Sequence, residues 1–117
     1  MTTESATLSQ HFGGREPEVK SIYERIVSES RKFGNVIEEP KKTSIHLVNR
    51  SAFAGVVTRK NALILNIKSA VPIQDKRIKK SEQISASRFH QEVKLISTDE
   101  VDSMLVGWLK DAYSISG

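Results

Sequence analysis

EPKKTSIHLV, residues 39–48, is the stretch at which a helical chain becomes mostly strand. Pro40 has no N–H to give to a sheet and keeps the residue before it extended, so it suits the start of a strand. Because successive side chains in a strand face opposite ways, Ile45 and Leu47 are predicted on one face and His46 on the other. The residues between Pro40 and Ile45 are all polar, and a plain turn would not require so many polar side chains.

The same stretch is the main candidate for a binding site. Its ammonium and hydroxyl groups are donors that an anion can use, and the turns that follow later in the chain add more cations. The candidate ligand-binding residues are Lys41, Lys42, Thr43, His46, Arg59, Lys60 and Arg77. The alternative is that these side chains are ordinary solvated residues, because lysine and arginine are common on protein surfaces.

Composition limits the classes of protein to which the chain can belong. Its 117 residues suffice for one domain with a core of its own. It has no cysteine, which excludes disulfides, thiolate catalysis and cysteine-bound metal centres. Its first residues lack the basic and apolar segments of a signal peptide, and no apolar run is long enough to span a bilayer. We therefore expect a soluble, cytoplasmic protein that needs no cofactor.

Charge is distributed unevenly along the chain. The segment Lys41–Lys94 contains 12 lysines and arginines against 3 aspartates and glutamates, whereas the remainder contains 6 basic and 11 acidic residues. The predicted sheet is therefore basic, although the net charge of the whole chain is only +4. Such an asymmetry indicates an anionic partner and carries no information about the fold.

Two amphipathic helices flank the strands. The first begins near Pro17, which suits the first helical turn, and Gly34 is its expected C-cap. The second follows Ser97 and Glu100, which have the spacing of a capping box. Apolar residues recur at helical spacing, namely Val19, Ile22, Tyr23, Ile26 and Val27 in the first helix and Val101, Met104, Leu105, Trp108, Leu109 and Ala112 in the second. Residues 1–14 are predicted to form a flexible polar tail, and residues 15–117 a single α+β domain.

Five or six short strands are predicted between the helices. They lie near residues 36–39, 44–49, 53–58, 62–68, 80–84 and 89–96. Short turns between the first four are typical of an antiparallel meander, whereas residues 69–80 form a longer loop. The predicted fold is an α+β two-layer sandwich, with both helices packed on one face of an antiparallel sheet. The residues expected on the opposite, outer face include His46, Val48, Val56, Ile64, His90, Glu92 and Lys94.

Several residues occur here in the order of a known family. They are His11-Phe12-Gly13-Gly14, Pro17, Tyr23, Pro40-Lys41-Lys42-Thr43, Ile45-His46, Phe53-Ala54-Gly55, Arg59-Lys60, Arg77 and the helix from Asp102 to Tyr113. The chain resembles a bacterial family of uncharacterised domains, the domain of unknown function 5655, which occurs alone and as a C-terminal module of predicted transport and nuclease-like proteins. The resemblance covers nearly the whole chain from His11. It implies a stand-alone version of the domain and transfers no activity or functional residue, because the family has none established.

Three functions follow from these patterns. The favoured one is a non-catalytic module that binds an anionic ligand or nucleic acid through the basic strand ends, although few aromatic residues are available to stack on bases. The alternative is a protein–protein interaction or dimerisation module that pairs two copies through Val48, Val56 and Ile64 on the outer face. The third is a histidine- or metal-dependent enzyme without a recognisable motif. Its candidate residues are Ser44 and His46 with Asp75, Glu82 or Glu92 for a triad, and His46, His90 and Glu92 for a metal site.

Overall fold

The computed structural model describes residues 8–116 as a six-stranded antiparallel sheet with helices at both ends of the chain. The helical elements are α1 (Leu8–Phe12), α2 (Pro17–Ser30), a 3₁₀ turn (Thr98–Glu100) and α3 (Ser103–Ser116). The strands are β1 (Ile37–Pro40), β2 (Ile45–Val48), β3 (Ala52–Thr58), β4 (Leu63–Ser69), β5 (Ile78–Ser85) and β6 (Arg88–Leu95). The predicted α+β class is confirmed. Of the predicted tail, residues 1–7 lie outside the described part of the chain, and α1 occupies most of the remainder.

The sheet has the strand order β1-β2-β3-β4-β6-β5. Strands β1 to β4 form the predicted meander, with each strand antiparallel to the one before it. Strand β5 does not continue that meander, because β6 lies between β4 and β5 and pairs with both. Since β6 is antiparallel to each of them, β4 and β5 run in the same direction, and residues 70–77 return the chain from one end of the sheet to the other.

This returning loop packs on the helix side of the sheet. Ile73 contacts the hydrophobic core, and the guanidinium of Arg77 lies 5.5 Å from the centre of the Trp108 ring on α3. Helix α1 is on the same side, since Phe12 packs against Tyr23 of α2 with 5.2 Å between ring centres. The helices and the loop therefore share one face, and within residues 8–116 the outer face of the sheet is left uncovered.

The helix boundaries differ from those predicted. Helix α2 begins at Pro17 as expected but ends at Ser30, with Arg31 as its C-cap, so Gly34 lies beyond the cap. The capping box of Ser97 and Glu100 is present but opens only the 3₁₀ turn, and α3 starts after Asp102. None of the helices in residues 8–116 is both long and apolar enough to cross a bilayer.

A β-bulge determines which side chains of β3 enter the core. Leu47 pairs with Ala54, whereas the next residue of β2, Val48, pairs with Ala52, so Phe53 is the extra residue. Phe53 and Ala54 are consequently both buried, and the inward and outward alternation shifts by one position. The prediction that Val56 lies on the outer face is therefore wrong: Val56 is fully buried, and Val57 takes the outer position.

Candidate functional site

Two turns bring most of the predicted binding residues to one end of the sheet. The β1–β2 turn contains Lys41, Lys42 and Thr43, and the β3–β4 turn contains Arg59 and Lys60. Pro40 pairs with Ile45 and Thr58 with Leu63, so each turn directly joins two paired strands. Because β2 is antiparallel to both β1 and β3, these two strands run in the same direction and the turns that follow them lie at the same end of the sheet. Backbone hydrogen bonds tighten them, at 2.6 Å from Lys41 N to Ser44 O and 2.8 Å from Arg59 N to Ala62 O. We call these five residues, Lys41, Lys42, Thr43, Arg59 and Lys60, the strand-end cluster.

Helix α1 and the loop after it are fastened to this end of the sheet. The buried side chain of His11 places Nε2 2.7 Å from the carbonyl oxygen of Lys41. The hydroxyl of Thr58 donates a hydrogen bond to the carbonyl of His11 and accepts one from Nε of Arg15 at 3.2 Å. The backbone N–H of Glu16 donates to the carbonyl of Lys60 at 2.8 Å. These contacts add the guanidinium of Arg15 to the positive charge of the strand-end cluster.

Most of the cations in the cluster have no carboxylate partner in the described part of the chain. Lys41 Nζ lies 3.4 Å from a carboxylate oxygen of Glu39, with both side chains exposed. Within residues 8–116, the side chains of Lys42, Arg59 and Lys60 make no ion pair or hydrogen bond. Exposed ion pairs contribute little to stability, so a ligand can displace the Glu39 contact at small cost. The cluster can therefore offer up to four positive charges to an anion.

A depression on the outer face begins at this cluster. It has a volume of about 460 Å³ and extends along the central strands from the β1–β2 turn toward the far ends of β4 and β6. Its polar lining residues are Thr43, Ser44, His46, Asn66, Lys68 and His90, and Gly55 and Val57 form part of its floor and wall. Thr43 belongs to both features, so the strand-end cluster and this outer-face depression form one continuous surface.

The polar side chains of the depression lack partners among residues 8–116. His46, Asn66, Lys68 and His90 make no side-chain hydrogen bond in the described part of the chain. Ser44 and His46 share the face as predicted, but they are not hydrogen-bonded to each other, so they do not form the paired nucleophile and base of a catalytic triad. No group of three or more His, Asp or Glu side chains in residues 8–116 is arranged to hold a metal ion. The arrangement is suited to binding through hydrogen bonds and positive charge.

Arg77 is the one candidate residue that the structure places elsewhere. It precedes β5 at the opposite edge of the sheet from β1 and β2. Its guanidinium binds both carboxylate oxygens of Asp102, at 3.2 and 3.1 Å, and the carbonyl of Glu100 at 2.6 Å. With the Trp108 ring beneath it, this guanidinium fastens the returning loop to the start of α3. Its hydrogen bonds are directed at the protein itself.

Asp102 gives a pH-dependent test of this region. Its carboxylate accepts a hydrogen bond from the N–H of Leu105 at 3.0 Å, and this bond together with Arg77 holds the pKa of Asp102 below its ordinary value of 3.8. We expect Asp102→Ala to lower the free energy of unfolding by about 1 kcal/mol at neutral pH, because an N-cap is lost. A lowered pKa means that the carboxylate stabilises the fold above pH 3.8 and ceases to do so as the pH falls through its folded value.

Urea denaturation at pH 7 and at pH 2.5 measures this effect. The difference between the wild type and Asp102→Ala should shrink at the lower pH, because protonation removes the charge that the Leu105 N–H and Arg77 stabilise. Asp111→Ala, which removes an exposed carboxylate later in α3, should show no loss at either pH. An equal loss in both variants would contradict the capping role.

A second groove lies between α1 and α2, and three of its polar side chains, Tyr23, Arg31 and Glu38, are bonded to one another. It measures about 900 Å³ and is lined by Leu8, Phe12, Tyr23, Val27 and Glu38, among others. The hydroxyl of Tyr23 donates to Glu38 at 2.5 Å, and Arg31 binds the other oxygen of the same carboxylate at 3.0 Å. Burial, reinforced by the Glu38 hydrogen bond, raises the pKa of Tyr23 well above its usual range. This tyrosine therefore stays protonated and structural.

One of three comparisons with known proteins gives a match. Residues 8–116 match the family described as Domain of unknown function (DUF5655). The chain belongs to this family. The match covers α1, every strand and α3, so the strand-end cluster and the outer-face depression both lie within the DUF5655 domain. No curated protein and no solved structure matches the chain.

Three residues of the site in this DUF5655 domain do not follow from the motifs in the sequence. Asn66 and Lys68 reach the depression only because β4 pairs with β3 and β6, and Arg15 joins the cluster only through Thr58. A signal for Asn66 does exist, since asparagine is unfavourable in the middle of a strand that is otherwise apolar. The other two have no local signal.

Proposed function

We propose that this chain is a non-catalytic module that binds an anionic ligand, with single-stranded nucleic acid as the best-matched class. The observation that carries the proposal is the placement of Lys41, Lys42, Arg59 and Lys60 around one end of an uncovered depression. A backbone of phosphates needs such a series of cations, together with groups that contact what lies between the phosphates.

The chemistry of the surface supports an anion in preference to a carbonyl-rich or apolar ligand. Lysine and arginine at the cluster supply charge, and the hydroxyls of Thr43 and Ser44 supply neutral donors at the same edge of the depression. By strand alternation, Lys41 and Arg59 extend toward the outer-face side, as Glu39 and Val57 do. Cations at the rim and unpaired polar groups inside are therefore available to one ligand.

Nucleic-acid binding measured over a salt series tests the proposal. We expect the protein to bind a fluorescein-labelled single-stranded oligonucleotide at 50 mM salt, and the double variant Lys42→Ala, Arg59→Ala to bind at least ~10-fold more weakly, since each phosphate contact contributes to affinity. The slope of log affinity against log salt should also become less steep by about 1.4, or about 0.7 for each lost contact. Fluorescence anisotropy with matched duplex DNA would show whether the single strand is preferred.

The matched control is Lys20→Ala, Arg25→Ala, which removes the same charge from the exposed face of α2. It should retain the affinity of the wild type. If the two double variants weaken binding equally, net charge and not the strand-end cluster is responsible. Absence of binding at 50 mM salt would refute the proposal.

Dimerisation through the outer face stays a prediction with less support. Val48, Val57 and Ile64 are only half-buried there, which favours a covering partner. However, Val57 and Ile64 pair with each other as one apolar spot, and the polar row that contains His46 and Asn66 separates them from Val48. An interface made of two copies of this row would bury polar groups without matched partners, which is unfavourable.

A further inference from the structure

Gly55 is a glycine that the fold itself does not require. It lies in the middle of β3, paired with His46 of β2 on one side and Asn66 of β4 on the other. Its backbone is not among the described positions with positive φ. A methyl group built on it would meet no atom closer than Cδ2 of His46, at 3.8 Å, which is ordinary contact. Glycine weakens the interior of a strand, so its presence points to something that must approach the sheet closely from outside.

The neighbouring Asn66 has the same character. Asparagine is depleted in strands, and this one sits at the centre of a six-stranded sheet. Its amide is half-buried, yet within residues 8–116 neither its donor nor its acceptor is used. Two residues unfavourable to a strand are thus paired directly with each other on the floor of the outer-face depression. Departures from local preference of this kind are expected where a surface has a function.

We call the part of the outer-face depression that lies over Gly55, between His46 and Asn66, the slot. His46 and Asn66 are two strands apart, or about 10 Å, with the bare backbone of Gly55 between them. The imidazole of His46 forms one side of the slot and the amide of Asn66 the other. Two residues further along β4, about 7 Å away, Lys68 and its partner His90 add positive charge and a second imidazole.

We propose that the slot binds the base of a nucleotide. A planar ring can lie against the exposed peptide at Gly55 with its edges toward His46 and Asn66, and the donor and acceptor of Asn66 match groups on the edge of a base. The distance of about 7 Å to Lys68 suits a phosphate carried by the same nucleotide. This assignment rests on the proposed function and adds to it the chemical class that the depression recognises, a base joined to a phosphate.

The cations that take part in binding distinguish a free nucleotide from one that belongs to a single strand. Arg59 lies about 14 Å from Asn66 along the strands, four residues in the direction away from Lys68. Lys41 lies in the same direction, two residues beyond the row that contains Asn66 and three strands to the side. A free nucleotide would use Lys68 and leave the strand-end cluster empty, whereas a single strand would continue toward the cluster. Both sources present the same base and phosphate to Gly55.

Calorimetric titration of the full chain with adenosine 5′-monophosphate and with ribose 5-phosphate isolates the contribution of the base. We expect the nucleotide to bind at least ~10-fold more tightly than the sugar phosphate. Gly55→Val, which fills the slot with a residue suited to strands, should abolish that difference. Gly107→Ala on α3, where an added methyl group has nothing within 4 Å, is the matched control and should bind as the wild type does.

Folding of the variants is checked by thermal denaturation. Gly55→Val and Gly107→Ala should melt no lower than the wild type, since both sites accept an added Cβ, neither has a positive φ, and valine favours strands. If Gly55→Val melts lower, Gly55→Ala replaces it and should still weaken the nucleotide selectively. The tetranucleotide of deoxyadenylate then separates the two sources: tighter binding than the monophosphate that depends on Lys42 and Arg59 indicates a single strand, and equal binding indicates a free nucleotide.

The outcomes distinguish this inference from the proposed function. Equal affinity of the wild type for the nucleotide and the sugar phosphate overturns the base-binding slot while leaving an anion-binding module in place. Undiminished nucleotide binding by a folded Gly55→Val overturns the slot in the same way. Failure of every anion to bind, the labelled oligonucleotide included, overturns both.

Discussion

Phe53→Ala is expected to lower the free energy of unfolding by about 3–5 kcal/mol, which is the usual cost of emptying a fully buried phenylalanine site. Phe53 has no exposed surface, and its ring packs edge-to-face on Tyr113 of α3 with 5.3 Å between centres. As the extra residue of the bulge in β3, it packs that strand against α3. Chemical denaturation monitored by circular dichroism measures the loss.

Phe89→Ala is the matched control, because Phe89 lies near the start of β6 and is only half-buried. It should cost at least about 1 kcal/mol less than Phe53→Ala, since less apolar surface leaves water on folding. A loss below about 2 kcal/mol for Phe53→Ala, or equal losses in both variants, would contradict the packing of Phe53 against Tyr113. The comparison uses one residue type, so the difference reports the burial and packing of the two rings.

The elements that the sequence predicts well are those determined by neighbours along the chain. The stripe from Val19 to Val27 gives α2 because side chains three and four apart share a helix face. Alternation through Leu63, Leu65 and Ile67 gives β4 for the corresponding reason in a strand. Short turns then make β1 to β4 a meander, since two strands joined by a tight turn pair with each other.

The features that the sequence did not predict depend on contacts between distant segments. The insertion of β6 between β4 and β5 depends on where residues 70–77 pack, and Ile73 and Arg77 have their partners far along the chain. The outward assignment of Val56 assumed unbroken alternation from Phe53, and the bulge at Phe53 shifts that alternation by one residue. Neither a bulge nor a crossover has a signal in the adjacent residues.

The candidate site also combines residues that local sequence predicts with residues that depend on distant contacts. Lys41, Lys42, Thr43, Arg59 and Lys60 were identified from the sequence because strand ends joined by short turns must lie together. Arg77 resembled them in charge, but its direction is determined by Asp102 and Trp108 of another element. The direct pairing of Gly55 with Asn66 required the register of β3 on β4, which no local pattern specifies.

Gly34→Ala is expected to lower the free energy of unfolding by about 2–4 kcal/mol, from backbone strain and a steric clash together. Gly34 has a φ of 152°, which residues with a side chain rarely adopt. A methyl group there would lie 2.5 Å from the hydroxyl of Tyr113 and 3.3 Å from its Cζ. The Tyr113 ring cannot easily withdraw, because it packs on Phe33 and Phe53 and donates a hydrogen bond to the carbonyl of Asn35 at 2.9 Å.

Two controls separate the causes of this loss. Gly14→Ala tests positive φ alone, since Gly14 has a φ of 74° and no atom within 4 Å of an added methyl group, and it should cost about 1 kcal/mol. Tyr113→Phe removes the clashing hydroxyl, so Gly34→Ala should cost about 1 kcal/mol less in that background than in the wild type. If Gly34→Ala costs the same in both backgrounds, the hydroxyl of Tyr113 does not contact this position. A cost at Gly34 no larger than that at Gly14 would likewise show that strain acts there without the clash, and that α3 leaves room beside the loop after α2.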